Sequence, residues 1–315
     1  MASTSVLRLP LSSVQVLDSD EEIFLLYTNL QRDSGLSVAL GGLGQVDSHK
    51  DTLQVEFDIV TPAPPSKPRK QKTAKSRAKP APANIRTISV ELAQDKTALR
   101  SRKGDTGSVL WRVSLEFAKV ILQQLEMNDL EAILDPDVLK ETCVLELGAG
   151  TGLLGLLLAN KAKHYTITDT DPLLPLIQKN VTLNSEAIST QNITVASLDW
   201  QTVQSTPPPL LHRVLPFTPE SPPGLIIAAD CIYHPSLIPP FIATLTALGK
   251  RSSVSESEYR PTILVLAQLR ETETMRLFLE SWLEGGLWDV WRLGDETSIF
   301  GLGYVAWAGW MKDSG

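Results

Sequence analysis

Apolar residues near the start of the chain alternate with polar ones, as they do in a half-buried β-strand. In "TLQVEFDIV" (Thr52–Val60) every second residue from Leu53 to Ile59 is apolar, so these side chains share one face. "NIRTISVEL" (Asn84–Leu92) resumes a strand pattern. The two segments predict a β-hairpin, and we interpret residues 1–100 as an N-terminal β-hairpin extension.

The segment between the two predicted strands has a different composition. Residues 61–83 combine proline and alanine with seven lysines and arginines and contain almost no large apolar side chain. Such a segment cannot bury enough apolar surface to offset the entropy lost on ordering, so we predict a disordered basic insertion. A solvated linker is the simplest interpretation of this insertion. Nuclear import, or weak contact with RNA or an acidic partner, are the alternatives.

From Trp111 onward the pattern becomes helical and then alternates between strand and helix. "WRVSLEFAKVILQQLEM" places Val113, Phe117, Ile121 and Leu125 on one face of an amphipathic helix. Short apolar runs such as "TCVLELG", "YTITD" and "TILVLAQL" then alternate with helical segments, which indicates an α/β fold with a doubly wound, mostly parallel sheet. "WDVWRLG" and "GYVAWAGW" have no helix between them and predict an antiparallel hairpin at the C-terminal sheet edge. Five of the seven tryptophans lie in or just before these two runs, and we expect most of them to pack the hairpin against a helix.

Composition and charge narrow the class of protein. Hydrophobic content is 43%, charged content is 21% and net charge is −7, values typical of a globular protein and unfavourable for direct nucleic-acid binding. The longest apolar runs are too short to cross a bilayer, and the N-terminus lacks the pattern of a secretory signal. The two cysteines lie in apolar runs and the four histidines show no ligand spacing. We expect a monomer that has neither a metal site nor a membrane partner. Its expected location is the cytoplasm, with the nucleus as a second location.

The stretch "ELGAGTGLL" follows the first strand of the alternating region and predicts a ligand-binding turn. Gly148, Gly150 and Gly152 permit a tight turn at which a ligand can approach the backbone. A dinucleotide fingerprint requires a third glycine where Leu153 stands. Glu146 disfavours a pyrophosphate and suits the methionine ammonium of S-adenosylmethionine. The stretch therefore favours S-adenosylmethionine over a nicotinamide cofactor.

The ends of the next two strands carry side chains suited to an adenosine. Asp169 ends "TITD", where an acid can accept hydrogen bonds from both ribose hydroxyls. Asp171 competes for this role, but it precedes a proline and better suits a helix N-cap. The third strand ends in "LDW". There Asp199 can bind the exocyclic amine of adenine and Trp200 can cover the ring, although core packing is the alternative for the indole.

The fourth strand ends in "ADCIY", which places Asp230 and Tyr233 beside the reactive end of such a ligand. Methyltransferases acting on planar nitrogens often carry two prolines between a polar and an aromatic residue here, and this chain does not. A helix N-cap is the alternative role for Asp230, since Pro235 follows at a suitable distance. Core packing is the alternative role for Tyr233.

Taken together, these motifs resemble those of the methyltransferase family 16 group of protein-lysine methyltransferases, which have the seven-stranded class I methyltransferase fold. "TGSVLW" (Thr106–Trp111), "ELGAGTG", "ITDTD", "SLDW" and "ADCIY" occur in the order found in that family. The resemblance covers residues from about 105 to 311, so residues 101–315 are expected to form an S-adenosylmethionine-dependent methyltransferase domain. It implies a Rossmann-like sheet of seven strands and S-adenosyl-L-methionine as cofactor.

The resemblance also implies a role for each matching position. The residues expected to bind the cofactor are Trp111, Glu146, Gly148, Ala149, Gly150, Asp169, Trp200 and Ala229. Asp230 and Tyr233 are expected to be the catalytic residues, at the target lysine amine. Within the family, the N-terminal hairpin, the basic insertion and the aromatic carboxyl end look most like fungal ribosomal lysine methyltransferases, which implies a large-subunit ribosomal protein as substrate. An RNA or small-molecule substrate, a dinucleotide-dependent oxidoreductase and a non-catalytic assembly factor are the alternatives.

Overall fold

The computed structural model describes most of the chain. The described residues are 5–33, 44–61, 84–95, 107–127, 131–218, 220–252, 260–294 and 299–312. Most of the predicted basic insertion lies outside these residues. The strands are β1 (Val14–Gln15), β2 (Thr52–Thr61), β3 (Asn84–Ala93), β4 (Cys143–Leu147), β5 (His164–Asp169), β6 (Ile193–Ser197), β7 (Leu225–Ala229), β8 (Thr262–Gln268), β9 (Trp288–Arg292) and β10 (Tyr304–Met311). The α-helices are α1 (Ser19–Asp33), α2 (Arg112–Met127), α3 (Pro136–Lys140), α4 (Leu153–Leu158), α5 (Leu174–Leu183), α6 (Trp200–Ser205), α7 (Ile238–Ser252) and α8 (Thr272–Leu283).

The main sheet is mostly parallel, as the strand–helix alternation predicts. Its order is β1-β9-β10-β8-β7-β4-β5-β6, with parallel pairing from β8 through β7, β4 and β5 to β6. The C-terminal strands β9 and β10 form the predicted antiparallel pair, and β10 runs antiparallel to β8. The seven strands of the resemblance are all present. The two-residue strand β1, which the sequence pattern did not predict, pairs with β9 and makes the sheet eight-stranded.

Helices cover both faces of this sheet. Successive residues of a strand point to opposite faces, and along β7 Ile226 joins one apolar cluster while Ile227 joins the other. The cluster containing Ile227 also holds α2, α4 and α5 side chains, whereas the cluster containing Ile226 holds those of α1, α7 and α8. None of the described helices combines the length and the apolarity needed to cross a membrane.

The N-terminal hairpin packs onto the outer side of the helical layer. Strands β2 and β3 pair antiparallel over their full length, and the apolar face of β2 is buried in the same cluster as Phe117 of α2. Asn180 of α5 and Asn184, the C-cap of that helix, bind the backbone of β3. Asn180 Oδ1 accepts from Ala93 N–H at 2.7 Å, and Asn184 Oδ1 accepts from Glu91 N–H at 3.0 Å. These contacts hold the hairpin against the sheet-and-helix body.

The C-terminal strands are fixed by aromatic packing and by a buried ion pair. Trp282, Trp288 and Trp307 are all buried, and their rings contact each other or Phe278 of α8. On α1, Glu22 accepts hydrogen bonds from Arg292 at 3.1 Å and from the Trp307 indole at 3.0 Å. Burial raises the pKa of the Glu22 carboxyl group, and the Arg292 charge opposes the rise. The network attaches α1 to the antiparallel end of the sheet.

The strand order reverses direction at β4, which lies between β7 and β5. Helical connections leave to opposite sides at such a point, so a crevice opens beyond the carboxyl ends of the strands. The glycine loop after β4, Asp169 at the end of β5 and Asp230 after β7 all belong to this edge.

Candidate active site

A cavity of about 430 Å³ opens at this edge of the sheet. This volume lies within the range of small-molecule sites. Of the predicted site residues, those that line it are Trp111, Gly148, Ala149, Gly150, Asp169, Trp200, Ala229, Asp230 and Tyr233. Residues that are distant along the sequence therefore meet in one crevice, as the positions of the strand ends predict.

The glycine loop is held by backbone hydrogen bonds and by left-handed backbone angles. Ala149 N–H donates to Thr168 O at 3.0 Å, and Gly150 has a φ of 58°. A Cβ built on Gly150 would lie 2.9 Å from the carbonyl oxygen of Gly107, which is too close for a real side chain. The close approach of Gly107, in the segment just before α2, therefore requires a glycine at position 150.

We expect Gly150→Ala to cost about 3 kcal/mol of folding free energy, because the added Cβ meets both a left-handed φ and the rigid Gly107 carbonyl. Gly286→Ala is the matched control: Gly286 has a φ of 65°, but a Cβ there would have no heavy atom within 4 Å. The control should cost only about 1 kcal/mol. Chemical denaturation of the two variants measures the difference. Equal losses would show that the Gly107 contact carries no energy.

Asp169 binds the glycine loop with one oxygen and its own neighbour with the other. Its Oδ2 accepts from Gly150 N–H at 2.8 Å, and its Oδ1 accepts from Thr170 N–H at 2.7 Å. Its Oδ1 also accepts from the Thr170 hydroxyl at 3.4 Å, and the carboxylate lines the cavity. Asp171 is exposed and outside the cavity lining, and it starts a short 3₁₀ turn whose N-cap is Thr170. The structure therefore places Asp169 and not Asp171 at the site, while the expected N-cap role of Asp171 is wrong.

The adenine end of the predicted site is formed by the start of α6. The Trp200 ring packs against Phe241 with ring centres 4.8 Å apart, and its edge lies beside Gly148. Asp199 also lines the cavity, but its oxygens accept from Gln201 N–H at 3.0 Å and Thr202 O–H at 2.9 Å. Asp199 is thus the N-cap of α6. Trp200 both packs on the core and lines the cavity, and its contact with adenine stays a prediction.

Glu146 is the exception among the predicted residues. Its side chain is 2% exposed, it does not line the cavity, and its Oε2 accepts from the Tyr165 hydroxyl at 3.1 Å. Burial raises the pKa of the Glu146 carboxyl group to about 8. Glu146 lies inside β4, where side chains point to the faces of the sheet, and not beyond the strand end. Glu146 therefore lies outside the lining of the cavity at which its contact with the methionine ammonium was predicted.

Asp230 and Tyr233 lie at the end of the cavity next to Trp111. Asp230 directly follows β7 and is 8% exposed, and its Oδ1 is buried without a hydrogen-bond partner among the described residues. Burial raises the pKa of the Asp230 carboxyl group, and the nearby Arg270 charge opposes the rise. The following turn, Pro235–Leu237, is capped by His234, so Asp230 is not a helix N-cap. Tyr233 is 37% exposed, which excludes the core-packing role.

The sequence motifs and this geometry lead to one family. A family model described as lysine methyltransferase matches residues 93–281, which is more than half of the chain. The chain belongs to this lysine methyltransferase family.

The proteins similar to this chain differ in the share of their length that aligns with it. Ribosomal lysine N-methyltransferase 5 of Saccharomyces cerevisiae (strain YJM789) is 26% identical over 331 residues, covering 82% of this chain and 88% of that protein. Protein-lysine N-methyltransferase EEF2KMT of Homo sapiens is 29% identical, covering 59% of this chain and 53% of that protein. The chain spans only about half the length of the first relatives it matches, between 41% and 53%. Among solved structures, a putative O-methyltransferase from Klebsiella pneumoniae is similar with a TM-score of 0.39 and 12% identity, covering 69% of this chain and 94% of that one.

Two side chains at the site, those of Arg270 and Cys231, were not predicted from the sequence. Arg270 pairs with Asp230 at 2.5 Å, and its guanidinium lies 4.7 Å from the centre of the Trp111 ring. Arg270 follows β8, the apolar strand that pairs with β7, and a charged residue at that position could have indicated a role in the site. Cys231 also lines the cavity, where its thiol donates to Leu147 O at 3.3 Å. Its position directly after Asp230 was the signal there.

Proposed function

We propose that this protein is an S-adenosylmethionine-dependent protein-lysine N-methyltransferase. The observation that carries the proposal is one cavity, at the carboxyl ends of neighbouring strands, that joins the Asp169 carboxylate, the Trp200 indole and the Asp230 carboxylate in a member of the lysine methyltransferase family. When bound, S-adenosylmethionine supplies a methyl group on a sulfonium, which is already activated for displacement.

The donors and acceptors present fit that cofactor. The Asp169 carboxylate lines the cavity at the end of β5, where an acid suits the two ribose hydroxyls. The Trp200 indole offers an aromatic face for adenine, with Ala229 as part of the cavity floor. The loop Gly148–Gly150 approaches the cavity with bare backbone, next to which the methionine portion would lie. Trp111 would close the cavity from the start of α2.

The acceptor amine would enter beside Asp230 and Tyr233. A lysine amine has an ordinary pKa of about 10.4 and must lose a proton before it can attack. Asp230 has a buried oxygen available to orient the neutral amine, and the half-exposed Tyr233 ring can pack along the lysine stem. The cofactor, held by Asp169 and Trp200, would supply the methyl group, and Asp230 would align the amine with it after the amine proton has left to water. The protein therefore acts by alignment and desolvation.

A ribosomal protein is the proposed acceptor. The support is the relative named ribosomal lysine N-methyltransferase 5, because its alignment runs along most of both chains. The motif favours an amine over a planar base, since no proline pair lies between Asp230 and Tyr233. Protein, RNA and small-molecule acceptors are separated by the experiment below.

Incubation of the pure protein with radiolabelled S-adenosylmethionine and a salt-washed ribosomal protein fraction should label one protein band. Mass spectrometry of that band should identify methyllysine. Protease should remove the label and ribonuclease should not, because the acceptor is a protein. Label that ribonuclease removes would favour an RNA methyltransferase. Calorimetry that detects no binding of S-adenosylhomocysteine to the folded protein would contradict the cofactor assignment itself.

A further inference from the structure

Arg270 contacts both Asp230, at the proposed acceptor site, and Trp111, which lines the cofactor cavity. Its Nη2 donates to Asp230 Oδ2 at 2.5 Å, and its Cζ lies 4.7 Å from the centre of the Trp111 ring. Gln268 Oε1 accepts from Arg270 Nε at 3.3 Å and from Nη2 at 3.2 Å. Contacts on three sides thus fix the plane of the guanidinium group.

The backbone around this cluster leaves little freedom for either partner. Asp230 has a φ of 61°, the one positive value among the described non-glycine residues, and its N–H donates to Leu266 O at 2.8 Å. Gly44 approaches so closely that a Cβ there would collide with the side chains of Gln268 and Arg270. Backbone strain of this kind persists only where the surrounding structure enforces it.

The chemistry of the acceptor explains why a cation is useful at this place. A buried carboxylate alone would attract a lysine ammonium and raise its pKa, which would hold the acceptor in its unreactive form. Pairing with Arg270 cancels the charge of Asp230 and occupies Oδ2. Only the buried Oδ1 then remains without a partner among the described residues. A neutral amine can donate one hydrogen bond to that oxygen and keep its lone pair for the methyl group.

Other ionisable groups lie near the pair of Asp230 and Arg270, on several helices and strands. Tyr304 of β10 has a pKa raised by burial and by the charges of Glu116 and Asp230, while Arg112 and Arg270 oppose the rise. The titratable or charged groups that face this cluster are Arg112 and Glu116 on α2, Asp169 at the end of β5, Cys231 and Tyr233 after β7, Arg270 after β8, and Tyr304 on β10. Of these, Arg270 makes a direct hydrogen bond to the Asp230 carboxylate.

We propose, on the basis of the proposed lysine methyltransferase function, that Arg270 is a positioning residue for the acceptor. It neutralises Asp230 and orients it, so that Oδ1 holds a neutral lysine amine without stabilising the ammonium form. Through its stacking on Trp111, it also couples the acceptor site to the cofactor cavity.

The test is the pH dependence of single-turnover methyl transfer to the salt-washed ribosomal protein fraction. In Arg270→Gln the unpaired carboxylate should hold the lysine proton more tightly, so the midpoint of the rate profile should rise by about one pH unit. The rate near neutral pH should fall about tenfold and recover as the pH is raised. Arg270→Lys, which keeps the charge, should keep the midpoint. Arg276→Gln, on the exposed face of α8, is the matched control and should change neither quantity.

Two outcomes of these experiments would overturn the proposal. An unchanged midpoint in folded Arg270→Gln would overturn it, whatever the rate, because a merely structural role lowers the rate at every pH. Loss of S-adenosylhomocysteine binding in Arg270→Lys would overturn it as well, since that variant keeps the charge beside Trp111.

If the wild-type protein labels no ribosomal protein, the proposed substrate fails and the pair is tested directly by nuclear magnetic resonance. Proteins with isotope-labelled aspartate carboxyl groups are titrated, with Asp230→Asn used to assign the signal. Arg270→Gln should raise the titration midpoint of Asp230, because the compensating charge is gone. A midpoint that does not move would refute the role assigned to Arg270 independently of any substrate.

Discussion

Replacing Asp230 with asparagine should lower the rate of methyl transfer at least about a thousandfold, which corresponds to about 4 kcal/mol of activation free energy. Asparagine keeps the size of the side chain but removes the charge that pairs with Arg270. The amide would also present a different set of donors and acceptors to the incoming amine. Asp230→Ala should be equally inactive, and it should be less stable because it leaves Arg270 unpaired in a largely buried place.

Binding of S-adenosylhomocysteine separates this catalytic effect from general damage. Asp230 lies at the acceptor end of the cavity, so we expect Asp230→Asn to keep the wild-type dissociation constant within about threefold. Asp137→Asn, whose carboxyl group lies on the exposed surface of α3, serves as the control and should retain full activity. Turnover in Asp230→Asn close to the wild-type rate would remove Asp230 from the list of catalytic residues.

Asp169→Asn should weaken the binding of S-adenosylhomocysteine at least about a hundredfold, or about 3 kcal/mol. The Asp169 carboxylate accepts from the backbone N–H groups of Gly150 and Thr170, and in the proposed complex it also accepts from the ribose. An amide nitrogen at either position would face a backbone donor and lose that hydrogen bond. The variant is therefore expected to disturb the glycine loop as well as the ribose contact.

Calorimetry on a pair of variants tests this effect. Asp171→Asn is the matched control, because Asp171 carries the same carboxyl group two residues later but is exposed and does not line the cavity. We expect the control to bind S-adenosylhomocysteine with the wild-type affinity. Wild-type affinity in both variants would show that neither carboxylate contributes to the binding of the nucleoside.

The positions of Asp169, Trp200 and Asp230 could be predicted because each directly ends or follows an apolar run of the sequence. The carboxyl ends of parallel strands meet at one edge of a sheet, so strand ends alone bring these side chains together. Glu146 could not be placed in the same way. It lies within β4, and its side chain therefore points to a face of the sheet, where Tyr165 and the start of α4 bury it.

Contacts between distant segments were not predictable from local patterns. The approach of Gly107 to Gly150, and that of Gly44 to Arg270, depends on loops whose conformation no periodicity encodes. The same holds for β1, since two residues are too few to show an alternation of apolar and polar positions. The hairpin of β2 and β3, in contrast, was visible because its strands are long and regular.

The pairing of β1 with β9 also bears on the behaviour of the protein in solution. Val14 and Gln15 pair with Arg292 and Trp291 and occupy hydrogen-bonding groups along the outer side of β9. A molecule that lost this short segment would present an unpaired strand to its neighbours, and free edges of this kind recruit further strands from other chains. At the margin of the sheet, β1 thus covers part of an edge that would otherwise be open to pairing with another chain.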